Sequence, residues 1–117
     1  MIKRILSPIL LFVYNRPAHT EKTMIGLQNN FLASESHLYI YSDGPRNRED
    51  FTLVEEVRRI INKYKGFSSI TIIERDTNWG LADNIVDGVT KLVNKFGKVI
   101  VLEDDLVSSP YFLNYMN

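Results

Sequence analysis

The sequence predicts an α/β fold in three αβα layers, built around a mostly parallel, Rossmann-like sheet with the strand order 3-2-1-4. Two observations lead to this fold class. Four short apolar runs alternate with segments whose apolar residues recur at helical spacing, and this alternation favours a parallel sheet with right-handed crossovers. The chain has 117 residues, of which 44% are hydrophobic, so we expect a single domain over residues 1–117.

The apolar runs are the predicted strands, because Val and Ile suit a pleated surface that is covered on both faces. They span residues 9–14, 38–41, 70–73 and 99–102. Asn15-Arg16-Pro17 stops the first run, and Ser42-Asp43-Gly44-Pro45 ends the second run in a turn.

The segments between the strands have the apolar spacing of amphipathic helices. The predicted helices span about residues 18–27, 53–64 and 85–96, and a fourth opens at Ser109-Pro110. Pro17 suits the first turn of the first helix. Gly66 and Gly97 are placed to end the second and third helices.

Three acidic residues, Glu103-Asp104-Asp105, end the fourth predicted strand. Carboxylates at such close spacing repel one another unless a cation or the donors of a ligand lie among them. Hard divalent ions prefer oxygen ligands, and an open α/β sheet binds its ligands at the carboxyl ends of the strands. The triplet therefore indicates a Mg²⁺ or Mn²⁺ site, with a solvated acidic turn as the alternative interpretation.

Polar residues at two other strand ends are expected to lie near this triplet. In the order 3-2-1-4 the first and fourth strands are neighbours where the winding reverses, which places Tyr14-Asn15-Arg16 beside the acids. Arg16 suits a phosphate or a heterocycle carbonyl, and Asp43 at the rim suits a nucleobase N–H. The combination predicts a nucleoside diphosphate bridged to the protein by a metal ion. The alternatives are a solvated helix-start residue for Arg16 and a simple turn for Asp43-Gly44.

The composition excludes several classes of partner and site. Fourteen basic and fourteen acidic residues cancel, so the chain has no basic field that would attract nucleic acid or anionic lipid. Cysteine is absent, which excludes disulfides and thiolate metal sites. Met1-Ile2-Lys3-Arg4 and the apolar run after it superficially resemble a secretory signal, but no small-residue cleavage site follows. We expect a cytoplasmic protein, with membrane association only through its acceptor.

Three segments resemble the N-terminal half of GT-A glycosyltransferases. They are residues 8–17 (Pro-Ile-Leu-Leu-Phe-Val-Tyr-Asn-Arg-Pro), residues 42–44 (Ser-Asp-Gly) and residues 101–106 (Val-Leu-Glu-Asp-Asp-Leu). The likeness is to the N-acetylglucosaminyltransferase I type and related bacterial sugar transferases, in which Glu-Asp-Asp replaces the more familiar Asp-x-Asp. Residues 110–115 also resemble the segment that follows the triplet in that group.

The resemblance implies a metal-dependent enzyme that transfers a sugar, with inversion, from a nucleotide-diphosphate sugar to a glycan or lipid-linked acceptor. A UDP-sugar is the favoured donor. It implies that Asp105 coordinates the metal, that Asp104 lies against the ribose or the sugar, and that Glu103 contacts the donor sugar. It also implies that Arg16 and Asp43 hold the uracil end of the donor.

Residues 78–84 resemble the donor-lining loop and helix start of the related family 2 transferases, although they depart from the N-acetylglucosaminyltransferase I pattern. The likeness implies that Asp83 or Asn84 touches the nucleotide, while both residues equally suit the N-terminal cap of a helix. Trp79 is expected to cover the core rather than to stack on a base. The mixed charge run of Arg46, Arg48, Glu49 and Asp50 is expected to form a solvated loop.

No residue is assigned as the catalytic base, because in this fold the base of inverting members follows the metal triplet and the chain ends at Asn117. We expect the chain to be the N-terminal part of a longer transferase, in which strand four is an exposed edge that favours self-association. One alternative is a non-catalytic nucleotide-sugar-binding module. A weaker one is a receiver-like signalling domain, whose acid pair follows the first strand, where this chain has Asn15-Arg16.

Overall fold

A computed structural model describes residues 6–104 and shows a four-stranded parallel sheet. The strands are β1 (Ile9–Val13), β2 (His37–Ser42), β3 (Ser69–Glu74) and β4 (Ile100–Glu103), in the order β3-β2-β1-β4. The predicted α/β class and the predicted strand order are confirmed. The order argues against the receiver-like alternative, because the flavodoxin-like arrangement of such domains is 2-1-3-4-5. Asp105 and the fourth predicted helix at Ser109-Pro110 lie outside the described residues.

β1 lies inside the sheet and brings three strand ends together. It pairs in parallel with β2 on one side and with β4 on the other. Val13 is in register with Ser42, and Phe12 is in register with Glu103. The carboxyl ends of β1, β2 and β4 therefore meet at one edge of the sheet, and the winding reverses between β1 and β4.

Three helices connect the strands, and two of their boundaries follow the predicted residues. The helices are α1 (Pro17–Gln28), α2 (Arg48–Asn62) and α3 (Leu81–Phe96), with a short 3₁₀ helix at Ala33–Glu35. Pro17 begins α1, because its fixed φ and missing N–H suit the first turn. Gly97 ends α3 with a left-handed φ of 78°, and its N–H donates to the carbonyl oxygen of Val93 at 2.8 Å.

α2 differs from the prediction at both ends. It begins at Arg48 rather than near residue 53, because the side-chain oxygen of Asn47 accepts the N–H of Asp50 at 2.9 Å and caps the helix. It ends at Asn62, and Gly66 lies beyond it with a φ of 99° in the loop that leads to β3. The prediction that Gly66 ends this helix is wrong.

Helices cover both faces of the sheet, because successive side chains of a strand point to opposite faces. Ile9, Leu11 and Val13 of β1 belong to one buried cluster with residues of α1 and α2. Leu10 and Phe12 belong to a second buried cluster with residues of α3. All five side chains are at most 5% exposed. β1 is thus buried on both faces, and the predicted three-layer arrangement is confirmed.

β4 is the outermost strand on its side of the described sheet. Self-association through this edge stays a prediction. Among the helices of residues 6–104, none is long and apolar enough to cross a membrane.

Candidate functional site

A cavity of about 360 Å³ lies at the carboxyl edge of the sheet. Its wall combines the ends of β1 and β4, the turn after β2, and the loop before α3 with the first turn of that helix. The predicted site residues that line it are Tyr14, Asn15, Arg16, Asp43, Asn84, Glu103 and Asp104. Asp83 is exposed and is not among the lining residues, while Asp105 falls outside the described part of the chain. Residues that are far apart in sequence therefore meet at one cavity.

The carboxylate of Asp43 holds the loop before α3. Oδ1 accepts the N–H of Gly44 at 2.9 Å and the N–H of Trp79 at 2.8 Å. Oδ2 accepts the N–H of Gly80 at 3.0 Å and Nδ2 of Asn78 at 3.2 Å. Asp43 is only 6% exposed, so the expectation of a carboxylate at the rim, open to a nucleobase, is corrected. Two carboxylate oxygens accept about four hydrogen bonds, so the protein already supplies its partners.

Gly44 allows this loop to approach the end of β2. A Cβ atom at this position would lie 2.5 Å from the carbonyl oxygen of Thr77 and 2.8 Å from that of Arg75. Nδ2 of Asn78 also donates to the carbonyl oxygen of Gly44 at 2.9 Å. Two features therefore position this part of the cavity wall. The carboxylate of Asp43 binds the loop, and the absence of a side chain at Gly44 lets the loop lie close to the end of β2.

A second buried carboxylate, Asp50, holds three residues that line the cavity. It lies in the first turn of α2, which begins at Arg48, and is 8% exposed. The prediction of a solvated loop is therefore wrong for Arg48, Glu49 and Asp50, which are helical, and Asp50 is also buried. It accepts hydrogen bonds from the hydroxyl of Tyr14, from Nδ2 of Asn15 at 2.7 Å and from the N–H of Arg46 at 3.1 Å. Asp50 thereby joins the end of β1 to the turn after β2.

These contacts shift the pKa values of Asp50 and Tyr14 in opposite directions. Burial raises the pKa of the Asp50 carboxyl, but the hydrogen bonds from Tyr14, Asn15 and the N–H of Arg46, together with the charge of Arg46, leave that pKa below its ordinary value. Burial, together with the hydrogen bond to Asp50, raises the pKa of Tyr14 to about 12. At neutral pH the pair is therefore an ionised carboxylate and a neutral phenol. The phenol keeps its proton for the bond to Asp50.

Two guanidinium groups line the cavity from exposed positions, Arg16 and Arg46. Arg16 precedes α1, and its carbonyl oxygen accepts the N–H of Thr20 at 2.9 Å. Its side chain has no hydrogen-bond or ion-pair partner among residues 6–104. Nε of Arg46 lies 3.5 Å from Oδ1 of Asn78, a long contact that leaves most of its donors open. Arg46 was not predicted as a site residue, because the charge run around it suggested only solvation.

Asn84 lies behind the loop and is 3% exposed. Its Oδ1 accepts Nε of Arg75 at 3.1 Å, and its Nδ2 donates to the carbonyl oxygen of Gly80 at 2.9 Å. Neither Asp83 nor Asn84 occupies the N-cap position of α3, which is Gly80. Trp79 does not cover the core as expected, since it is 43% exposed and lies against the guanidinium of Arg75 at 3.6 Å.

Glu103 and Asp104 bring two carboxylates to the cavity wall at the end of β4. The hydroxyl of Thr23 donates to the backbone oxygen of Asp104 at 2.9 Å, which ties this end of β4 to α1. Within residues 6–104 there is no group of three or more His, Asp or Glu side chains that could hold a metal ion. Mg²⁺ is commonly bound by only one or two carboxylates, with water and phosphates completing its shell. Glu103 and Asp104 fit that donor set.

No protein-family model matches the chain, and no curated protein matches it. The chemistry of the cavity is therefore the basis for assigning a function.

Proposed function

We propose that this chain is the donor-binding part of a metal-dependent glycosyltransferase that uses a nucleotide-diphosphate sugar, with a UDP-sugar favoured. The observation that carries the proposal is the meeting of arginines and carboxylates in one cavity between β1 and β4. Ligands of open α/β sheets bind at this point, where the strand order reverses. The volume of about 360 Å³ falls within the usual range for small-molecule sites.

The two signs of charge in the cavity match the two parts of a metal-bound diphosphate. Arg16 and Arg46 offer guanidinium N–H groups, which bind phosphate oxygens in pairs. Glu103 and Asp104 offer the oxygen ligands that Mg²⁺ or Mn²⁺ prefers. A site for a simple anion would need only the arginines, and a site for a simple cation only the acids. Their presence together favours a ligand that carries both charges.

The metal would be held by Glu103 or Asp104 together with Asp105, which the resemblance to GT-A transferases assigns as a ligand. When bound, a divalent ion supplies positive charge that stabilises a departing nucleoside diphosphate. The protein groups position the donor: Asp43 and Asp50 hold parts of the cavity wall, and the arginines orient the phosphates. Transfer with inversion to a glycan or lipid-linked acceptor is the reaction that the resemblance supports, and no described residue is assigned as its base.

Calorimetric titration of UDP in the presence of Mn²⁺, and again with EDTA, tests the proposal. We expect binding that requires the metal and that weakens by roughly tenfold or more in Asp105→Ala, a typical effect of altering a metal site. Glu55→Gln is the matched control, because Glu55 is an exposed acid of α2 and does not line the cavity.

Three results would each contradict a different part of the proposal. A folded chain that binds no UDP under either condition would contradict the nucleotide site. Equal affinity with Mn²⁺ and with EDTA would contradict the metal. An Asp105→Ala variant that keeps the wild-type affinity would contradict the ligand role of that residue.

A further inference from the structure

A buried arginine that does not line the cavity is connected to it through Asn84. Arg75 directly follows β3, and it is 9% exposed. A buried charge is costly unless it is paired and hydrogen-bonded, so the partners of Arg75 indicate its role.

Two aromatic rings and a carboxylate hold the guanidinium of Arg75 in one place. Its Cζ atom lies 3.6 Å from the ring centroid of Trp79 and 4.9 Å from that of Tyr41. Nη2 is paired with Asp87, whose carboxylate also lies 3.1 Å from Nζ of Lys91. The hydrogen bond from Arg75 lowers the pKa of Asp87, so this acid is ionised at neutral pH. A stacked and paired guanidinium has a fixed plane, and the direction of its Nε–H is fixed with it.

That N–H determines how the amide of Asn84 is oriented. Nε of Arg75 donates to Oδ1 of Asn84 at 3.1 Å, and Nδ2 of Asn84 donates to the carbonyl oxygen of Gly80 at 2.9 Å. Arginine can only donate and a carbonyl oxygen can only accept, so both partners require the same orientation of the amide. Nδ2 carries a second hydrogen that has no partner among residues 6–104, and Asn84 is one of the residues that line the cavity.

We infer that Arg75 is a positioning residue, which orients the Asn84 amide so that its NH₂ end binds an acceptor oxygen of the nucleotide. That oxygen belongs to a ribose hydroxyl or to a phosphate. This inference rests on the proposed function, because it requires a nucleotide in the cavity. Without Arg75 only the carbonyl oxygen of Gly80 fixes the amide, and an amide that turns presents Oδ1, whose lone pairs repel the lone pairs of the ligand oxygen.

A double-mutant cycle tests whether Arg75 acts through Asn84. UDP with Mn²⁺ is titrated into the wild type, Arg75→Met, Asn84→Ala and the double variant. The loss of one hydrogen bond to a charged group weakens binding by roughly tenfold, so we expect about that effect from each single variant. The double variant should bind no more weakly than Asn84→Ala alone, because coupled residues are not additive. Uridine, titrated in parallel, separates the two sources of oxygen. If Asn84 binds a ribose hydroxyl, the variants should lose affinity for uridine as they do for UDP. If Asn84 binds a phosphate, their affinity for uridine should equal that of the wild type.

Arg59→Met is the matched control, since it makes the same change at an exposed arginine of α2 that does not line the cavity, and it should retain the wild-type affinity. If Arg75→Met does not fold, Arg75→Lys replaces it in the cycle, because lysine keeps the cation without the planar fork. Unchanged affinity in the Arg75 variant, or additive losses in the double variant, would overturn the inference.

The side-chain amide signals of Asn84 in the NMR spectrum of the unliganded protein test the orientation separately from nucleotide binding. These signals should shift in Arg75→Met. Unshifted signals would overturn the positioning role even if UDP binds, whereas a wild type that binds no UDP would overturn the proposed function and the ligand contact together.

Discussion

Replacement of Asp43 by alanine is expected to lower the free energy of unfolding by roughly 3 kcal/mol and to abolish the binding of UDP. The carboxylate is 6% exposed and accepts four hydrogen bonds. Alanine leaves these donors without an acceptor, and a buried unsatisfied donor costs about 1–3 kcal/mol. The loop before α3 then loses its anchor, and one wall of the cavity is displaced. Urea denaturation measures the first effect, and calorimetry with UDP and Mn²⁺ measures the second.

Asp76→Ala is the control for this variant. Asp76 is an exposed aspartate of the same loop, so the change in charge and residue type is identical. We expect the wild-type urea midpoint and the wild-type affinity. An Asp43→Ala protein that unfolds at the wild-type midpoint would contradict the role of Asp43 as the anchor of the loop.

Replacement of Gly44 by alanine is expected to cost about 3 kcal/mol, the upper part of the range for overpacking. The new Cβ would lie 2.5 Å from the carbonyl oxygen of Thr77 and 2.8 Å from that of Arg75. Both are backbone atoms, so no change of rotamer relieves the contact. The loop must move away from the end of β2, which separates the carboxylate of Asp43 from the N–H groups of Trp79 and Gly80. We expect a lower urea midpoint and the loss of UDP binding.

Gly97→Ala is the control for Gly44→Ala, because it introduces backbone strain without a steric clash. Gly97 has a φ of 78°, and a Cβ atom there would meet nothing within 4 Å. The left-handed conformation costs an alanine about 1–2 kcal/mol, and the residue lies at the far end of α3 from the cavity. This variant should be less destabilised than Gly44→Ala and should bind UDP normally.

A Gly44→Ala protein as stable as the wild type would contradict the close approach of the loop before α3 to the end of β2.

The layers and the strand order were predictable because they depend on patterns that local sequence carries. Residues 9–13 form a continuous run of apolar and β-branched or aromatic residues, which is typical of a strand buried on both faces. The helical spacing of residues 85–96 and the glycine after them define α3 in the same way. Once strands and helices alternate, the right-handed crossover rule leaves few topologies, and the meeting of Arg16 with Glu103 at one cavity follows from the order alone.

The roles of the two buried aspartates were not predictable in the same way. The turn after β2 indicated a functional carboxylate at Asp43, but four protein donors surround it, and three of them come from a loop that follows β3. Asp50 did carry a local signal, since Asn47 with an acid three residues later is a pattern of helix N-termini. Its bonds to Tyr14 and Asn15 span 36 and 35 residues. Only the packing of α2 against the end of β1 produces them.

Chemical-shift mapping of ¹⁵N-labelled protein with UDP and the diamagnetic ion Mg²⁺ tests most directly whether the cavity is the nucleotide site. The backbone amides of Asn15, Asp43 and Gly80 should shift on titration, whereas those of Ser69 and Gly97, at the amino edge of the sheet, should not. Shifts concentrated at the amino edge, or a spectrum of folded protein that UDP leaves unchanged, would contradict a nucleotide site at the carboxyl ends of β1 and β4.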